Sequence, residues 1–173
     1  LHPELIKNPR GGRQALVEGM RRAGLSDDGI LNAARPTASL AGYLELHIEQ
    51  GKQLEHAGIK IGIVSAIVGI WSYRLSFIGG ADHAGSTTMG DRRDASLGAS
   101  ALTLAVREIV LKNFPNCVVN VGNMEFSPGA FNIVPACVDV SLEFRSPDEG
   151  EFKHLDSALI ECAKAQAKRF GLE

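Results

Sequence analysis

The side chains best suited to chemistry in this sequence are His47, Gln50, His83, Asn132 and Arg145. His47 ends an alternating apolar and polar run and is followed by Glu49 and Gln50. An imidazole at a strand end beside a carboxylate is a common setting for a metal ligand. The competing reading is a histidine on the polar face of a half-exposed strand, because no His-x-x-x-His, carboxylate pair or cysteine pair accompanies it. His83 lies in the run Gly79-Gly80-Ala81-Asp82-His83-Ala84-Gly85-Ser86-Thr87-Thr88. Small neighbours let the backbone approach a ligand closely. A histidine there can donate to a developing oxyanion or orient a carbonyl; a surface histidine in a polar loop is the alternative. Asn132 and Arg145 make a third set. A guanidinium grips a carboxylate through two parallel hydrogen bonds, yet a salt bridge to Glu143, Asp148 or Glu149 is the commoner fate of such an arginine. Arg92 and Arg93 could bind an anion, with solvation or pairing to Asp91 and Asp94 as the simpler outcome.

These residues need elements to hold them. Pro3, Pro9, Gly11 and Gly12 punctuate an irregular start, and the pattern predicts short helices over 13–23 and 27–34. Leu44, Leu46 and Ile48 alternate with Glu45, His47 and Glu49, which predicts a strand over 43–49. A short helix over 50–57 should end at Gly58. The run 59–67, almost all apolar and β-branched, predicts a strand buried on both faces. Gly69 marks a change of character. Trp71, Tyr73, Leu75 and Phe77 alternate with polar residues, a strand with one covered face. After the loop 79–90, Asp91 is the expected N-cap of a helix over 92–112, with Ala95, Ala99, Leu102, Val106 and Ile109 on its apolar stripe. Strands follow over 117–126 and 136–145. Pro147 and Asp148 open a last helix, whose stripe runs from Phe152 through Leu155, Leu159 and Cys162 to Phe170. From Gly69 the order is strand, helix, strand, strand, helix: a ferredoxin-like βαββα arrangement lacking its last strand.

Composition sets the class. Hydrophobic residues make up 45% of the chain and its net charge is −2, which fits a globular protein and gives no case for nucleic acid. No apolar run is long enough to span a membrane, so no membrane partner is expected. Three scattered cysteines, Cys117, Cys137 and Cys162, argue against a disulfide framework and for a reducing compartment, the cytoplasm. They read as buried apolar thiols. The chain opens on Leu1 rather than Met and ends at Glu173, where a fourth strand should begin. The expectation is therefore a piece of a longer protein.

Several segments resemble the N-carbamoyl-L-amino-acid hydrolase and allantoate amidohydrolase branch of the dinuclear-zinc aminoacylase and carboxypeptidase superfamily. They are Leu44-Glu45-Leu46-His47-Ile48-Glu49-Gln50-Gly51, Asp82-His83-Ala84-Gly85-Ser86-Thr87-Thr88-Met89, Arg92-Arg93-Asp94-Ala95, Phe131-Asn132-Ile133-Val134-Pro135 and Glu143-Phe144-Arg145. The resemblance implies an α/β fold overall, with part of a catalytic α/β domain over 1–68 and an α+β lid and dimerisation domain, truncated, over 69–173. It implies two divalent ions in the full-length enzyme, zinc or else manganese, cobalt or nickel, with His47 as a ligand of one. It puts Gln50 beside the substrate. His83 corresponds to a lid histidine that reaches the partner subunit's active site, and Asn132 and Arg145 to residues that grip the substrate carboxylate. The implied reaction is attack of metal-activated water on an N-carbamoyl-L-amino acid, a small-molecule substrate, within a homodimer. Allantoate-handling members carry two arginines where this sequence has Trp71-Ser72, which favours a less polar substrate. Allantoate, ureidoglycolate or dipeptide hydrolysis, and a lid-type dimerisation module without catalysis, are the alternatives. With other ligands and the general base outside this chain, the chain alone is expected to be inactive.

Overall fold

The computed structural model describes residues 6–173; Pro3, expected to punctuate the start, lies outside the described residues. In chain order the elements are α1 (Arg13–Arg22), α2 (Asp27–Leu31), a 3-10 turn (Thr37–Ser39), α3 (Gln53–Ala57), β1 (Gly69–Ile78), α4 (Ala95–Asn113), β2 (Val118–Ser127), β3 (Cys137–Ser146) and α5 (Glu149–Arg169). Compactness divides the chain into two units between Ile61 and Gly62.

In the second unit the cleanest alternation in the sequence becomes the central strand. β3 pairs antiparallel with β1 on one side and β2 on the other, in the order β1-β3-β2. β1 and β2 therefore run parallel, joined through α4 with β3 between them, which is the split βαβ plan read from the sequence. The period of two sends Val138, Val140, Leu142 and Phe144 to one face, where all four are buried. Ala95, Ala99, Leu102 and Val106 of α4 and Leu155 and Leu159 of α5 cover that face. Burying each large aliphatic or aromatic side chain stabilises the fold by about 1.5–3 kcal/mol. Tyr73, Phe144 and Phe152 continue the packing, with ring centroids 6.2 and 5.0 Å apart. The Tyr73 hydroxyl donates to Asp156 at 2.7 Å, tying β1 to α5. The uncovered face carries polar groups such as Ser72, Arg74, Asp139 and Glu143.

α4 starts later than its pattern predicts. Its cap is Asp94, whose carboxylate accepts from the Ser96 N–H, whereas Asp91 accepts from the Thr88 hydroxyl at 2.6 Å. The first helical residue, Ala95, is fully buried and donates its N–H to the Pro135 carbonyl at 3.1 Å. That tertiary bond fixes the start and leaves Arg92 and Arg93 outside the helix. α4 seats on β1 at Gly98, where a β-carbon would come within 2.7 Å of the Phe77 ring and 2.6 Å of Leu172. Glu173 exchanges both backbone hydrogen bonds with Ile78, on the side of β1 away from β3.

The chain before β1 corrects two expectations. Neither 43–49 nor 59–67 forms a strand; Leu44 is 95% exposed, Leu46 98% and Ile63 95%. A strand is a paired state, since its N–H and C=O groups need a neighbouring backbone. Among the described residues none pairs with either segment. α3 begins at Gln53 rather than Gln50 because the Glu49 carboxylate accepts from the Gln53 N–H at 2.7 Å and from Leu54. Gly58 ends α3 in the left-handed conformation, as expected. α2 stops at Leu31, short of the predicted end, with Ser26 as its N-cap.

Candidate functional site

Past the end of β1 and before the start of β3 the backbone stays paired. The Gly79 N–H donates to the Ala136 carbonyl at 2.7 Å, Val134 to Asp82 at 2.8 Å, and Ala84 to Asn132 at 2.9 Å. His83 thus faces Ile133 in an isolated antiparallel bridge. Gly79 is required here, since a β-carbon would meet the Arg93 carbonyl oxygen at 1.9 Å. The structure therefore brings His83 and Asn132 together at one end of the sheet, both exposed.

The His83 ring has a defined state. The Gly85 N–H points at its Nδ1, 3.1 Å away, so Nδ1 accepts and the neutral ring carries its proton on Nε2. That edge presents a donor to solvent, suited to a carbonyl or an anion. A β-carbon at Gly85 would lie 3.1 Å from ring Cε1. Arg92 and Arg93 take a course the sequence did not suggest. Arg92 donates to the carbonyls of Ala84 at 2.6 Å and Thr87 at 3.1 Å, and Arg93 to the carbonyl of Gly171 at 2.9 Å. Neither pairs with Asp91 or Asp94. Sequence spacing gives no sign of this, because the contact depends on the turn between positions 84 and 87.

Arg145 sits at the other end of the sheet. Eight residue steps separate it from Cys137 along β3, which at ~3.4 Å each is ~27 Å. Its guanidinium donates through Nε and Nη2 to Glu143 Oε1, at 2.9 and 2.7 Å, and its cross-strand neighbours are Ile70 and Val118. The simpler fate named for this arginine is thus present, and the chain does not bring it to His83 and Asn132.

His47 and Gln50 belong to the first unit. A His47 Nδ1–H bond to the Ile48 carbonyl, 2.6 Å, leaves Nε2 with its lone pair outward, the state a metal ligand needs. It has no company: among the described residues no three His, Cys, Asp or Glu side chains gather to hold an ion, and a catalytic zinc takes three protein ligands. These residues do not by themselves fit a metal centre. Gln50 has φ of 55°, left-handed and uncommon for a residue with a β-carbon. All three cysteines are free. Burial, with Asp139 nearby, pushes the Cys137 thiol up, and burial pushes Cys162 up against a weaker opposing bond from Gln166, so both are poor nucleophiles. Among the described residues no helix is long and apolar enough to cross a membrane.

Comparison with known proteins agrees with the fold. The N-carbamoyl-L-amino acid amidohydrolase of Geobacillus stearothermophilus is 36% identical over 145 residues, 84% of this chain and 35% of that protein. A ureidoglycolate hydrolase of Arabidopsis thaliana is 36% identical over 163 residues, 92% of this chain and 34% of that protein. The solved structure of an amidase of the hydantoinase/carbamoylase family from Burkholderia multivorans matches with a TM-score of 0.69 at 38% identity, over 73% of this chain and 31% of that one. The chain spans about a third of the length of these relatives. The peptidase dimerisation domain model matches residues 65–171, more than half of the chain. The chain therefore belongs to the peptidase dimerisation domain family, in the branch that holds the N-carbamoyl-L-amino-acid amidohydrolases and ureidoglycolate hydrolases.

Proposed function

We propose that this chain is part of a homodimeric, metal-dependent amidohydrolase that cleaves the linear C–N bond of an N-carbamoyl-L-amino acid, releasing the amino acid, carbon dioxide and ammonia. Residues 1–68 belong to its catalytic domain, where His47 is one metal ligand and Gln50 lies beside the substrate; the other ligands come from outside this chain. Residues 69–173 are the lid. Its three free cysteines fit a reducing cytoplasm. In this reading His83 donates from Nε2 to the carbamoyl oxygen, while Asn132 and Arg145 hold the carboxylate.

The observation that carries the reading is the ~27 Å along β3 between the His83 end and Arg145, too far for one small substrate. Two protomers resolve it: each site takes Arg145 from its own chain and His83 with Asn132 from the partner. The second unit has a surface suited to such a dimer, since Leu104 and Leu111 of α4 and Val118 at the start of β2 are exposed. A C2 axis pairs such a patch with its own copy.

Subunit mixing of the full-length enzyme tests this. His83→Ala and Arg145→Ala should each be nearly inactive alone. In a random mixture half the dimers are mixed, and each of those has one intact site, so roughly a quarter of native activity should return. No return on mixing, with dimers intact, would mean the two residues do not share a site across protomers. Arg145→Lys keeps the charge but loses the two-pronged grip; it and Asn132→Ala should each cost about 2–5 kcal/mol in kcat/KM on carbamoyl amino acids. Unchanged kinetics for Arg145→Lys would leave Arg145 as a salt-bridge residue. Running allantoate, ureidoglycolate and dipeptides beside the carbamoyl amino acids decides the substrate.

A further inference from the structure

We infer that Arg92 is the positioning residue for His83, acting through the single peptide group between Ala84 and Gly85. The carbonyl of that group accepts from Arg92 Nη2 at 2.6 Å, and the N–H of the same group donates to His83 Nδ1 at 3.1 Å. A peptide group is planar, and in the trans form its C=O and N–H point in opposite directions. Fixing the oxygen therefore fixes where the N–H points. Arg92 thus bonds to one edge of this plane and the imidazole to the opposite edge.

The rest of the turn is tied in the same way. Arg92 Nε and Nη2 both reach the Thr87 carbonyl at 3.1 Å, and the His83 carbonyl accepts from Ser86 and Thr87 at 3.2 and 3.0 Å. Arg92 is half-buried, and among the described residues no carboxylate pairs with it. Its Nε and Nη2 donors are committed to two backbone oxygens. A bond from a charged donor also polarises the peptide group and strengthens the N–H on its far side. The result is a ring whose Nδ1 is held as acceptor and whose Nε2–H faces outward. This rests on the proposal that His83 donates to substrate from Nε2; the positioning itself is a separate claim about the ring.

The two claims fail in different experiments. In this 173-residue chain, long-range proton–nitrogen spectra report the His83 tautomer, and the Gly85 amide reports its hydrogen bond. Arg92→Ala should convert a single Nε2–H ring into a mixture of tautomers and shift the Gly85 amide, with the amides of Val140 and Leu142 unmoved. Arg92→Lys, which reaches one carbonyl at a time, should give the same change to a smaller degree and serves if the alanine variant fails to fold. In the full-length enzyme Arg92→Ala should lower kcat by ~10- to 100-fold with KM nearly constant, the effect of a displaced group rather than lost binding. Arg92→Lys should recover part of it. A folded Arg92→Ala chain whose His83 ring and Gly85 amide are unchanged overturns the inference. If the ring changes as expected but His83→Ala leaves turnover intact, Arg92 still positions the ring and the role of His83 in the reaction is what fails.

Discussion

Two stretches of this chain carry the same alternation of apolar and polar side chains and end in opposite states. In β3, Val138, Val140, Leu142 and Phe144 are buried between β1, β2 and two helices. In 43–49, Leu44, Leu46 and Ile48 face solvent. The difference lies in the partners. β3 has a backbone to bond on each edge, whereas 43–49 has none among the described residues. Alternation states which face would be buried if a sheet formed; it does not supply the sheet. The contrast extends to the candidate site. His83 and Asn132 hang on a ladder of backbone bonds that fixes their spacing, while His47 and Gln50 sit on a segment without one.

The largest test of this contrast is a pair of truncations in the 173-residue chain. Phe144→Ala should lower unfolding free energy by about 3–5 kcal/mol, the cost of lost burial plus a cavity in a packed core. Leu46→Ala should stay within about 0.5 kcal/mol, as an exposed side chain does. Urea titration followed by the near-ultraviolet signal of the Tyr73 and Phe144 cluster reads both. A Leu46→Ala cost comparable to that of Phe144→Ala would show that 43–49 is packed, and the contrast would collapse.

A pair of helical glycines sharpens it. At Gly19 of α1 an added β-carbon meets nothing within 4 Å, so Gly19→Ala should stabilise by about 0.5–1 kcal/mol through helix propensity. Gly98→Ala gains the same propensity but forces both Phe77 and Leu172 to move. Overpacking of that kind costs about 1–3 kcal/mol, so the net sign should be destabilising. Equal effects at the two sites in thermal unfolding would mean that α4 is not seated on β1 as closely as the structure has it.

How far the sequence could be read follows the same line. The strand, helix, strand, strand, helix order from Gly69 was legible because each element packs on another in the same chain, so period and partner agree. The strands expected at 43–49 and 59–67 were not, because their pattern assumes backbones the described residues do not provide. The α4 cap was misplaced from Asp94 to Asp91 because both are acids before a helical pattern, and the Ala95 bond to Pro135 that fixes the helix start is a tertiary contact. His83 and Asn132 were legible as residues, but their adjacency depends on strand register past the end of the sheet. Arg92 was unreadable, since it acts on carbonyls, and every residue has one.

The smallest effect separates two tyrosines in the same two regions. Tyr73 donates to Asp156 across elements at 2.7 Å and is half-buried; Tyr43 donates to Glu45, two residues away, and is exposed. The Asp156 carboxylate, more than burial, raises the Tyr73 pKa above its ordinary value. The folded state therefore holds the phenol proton more tightly than the unfolded chain does. Its contribution is complete below the unfolded pKa of about 10 and is lost as pH climbs through the folded value. At neutral pH Tyr73→Phe should cost about 0.5–1.5 kcal/mol, the net worth of one hydrogen bond. Above about pH 10 the gap between native chain and variant should close, because the native chain loses what the variant never had. Tyr43 also has a raised pKa from Glu45, but that pair stands in water and binds nothing beyond its own segment. Tyr43→Phe should leave stability unchanged at every pH. Urea titrations of both variants between pH 7 and 11 read the difference. A Tyr73 gap that persists unchanged to pH 11 would show that the folded and unfolded chains hold the phenol proton equally, and that packing, not the bond to Asp156, is what the variant removes.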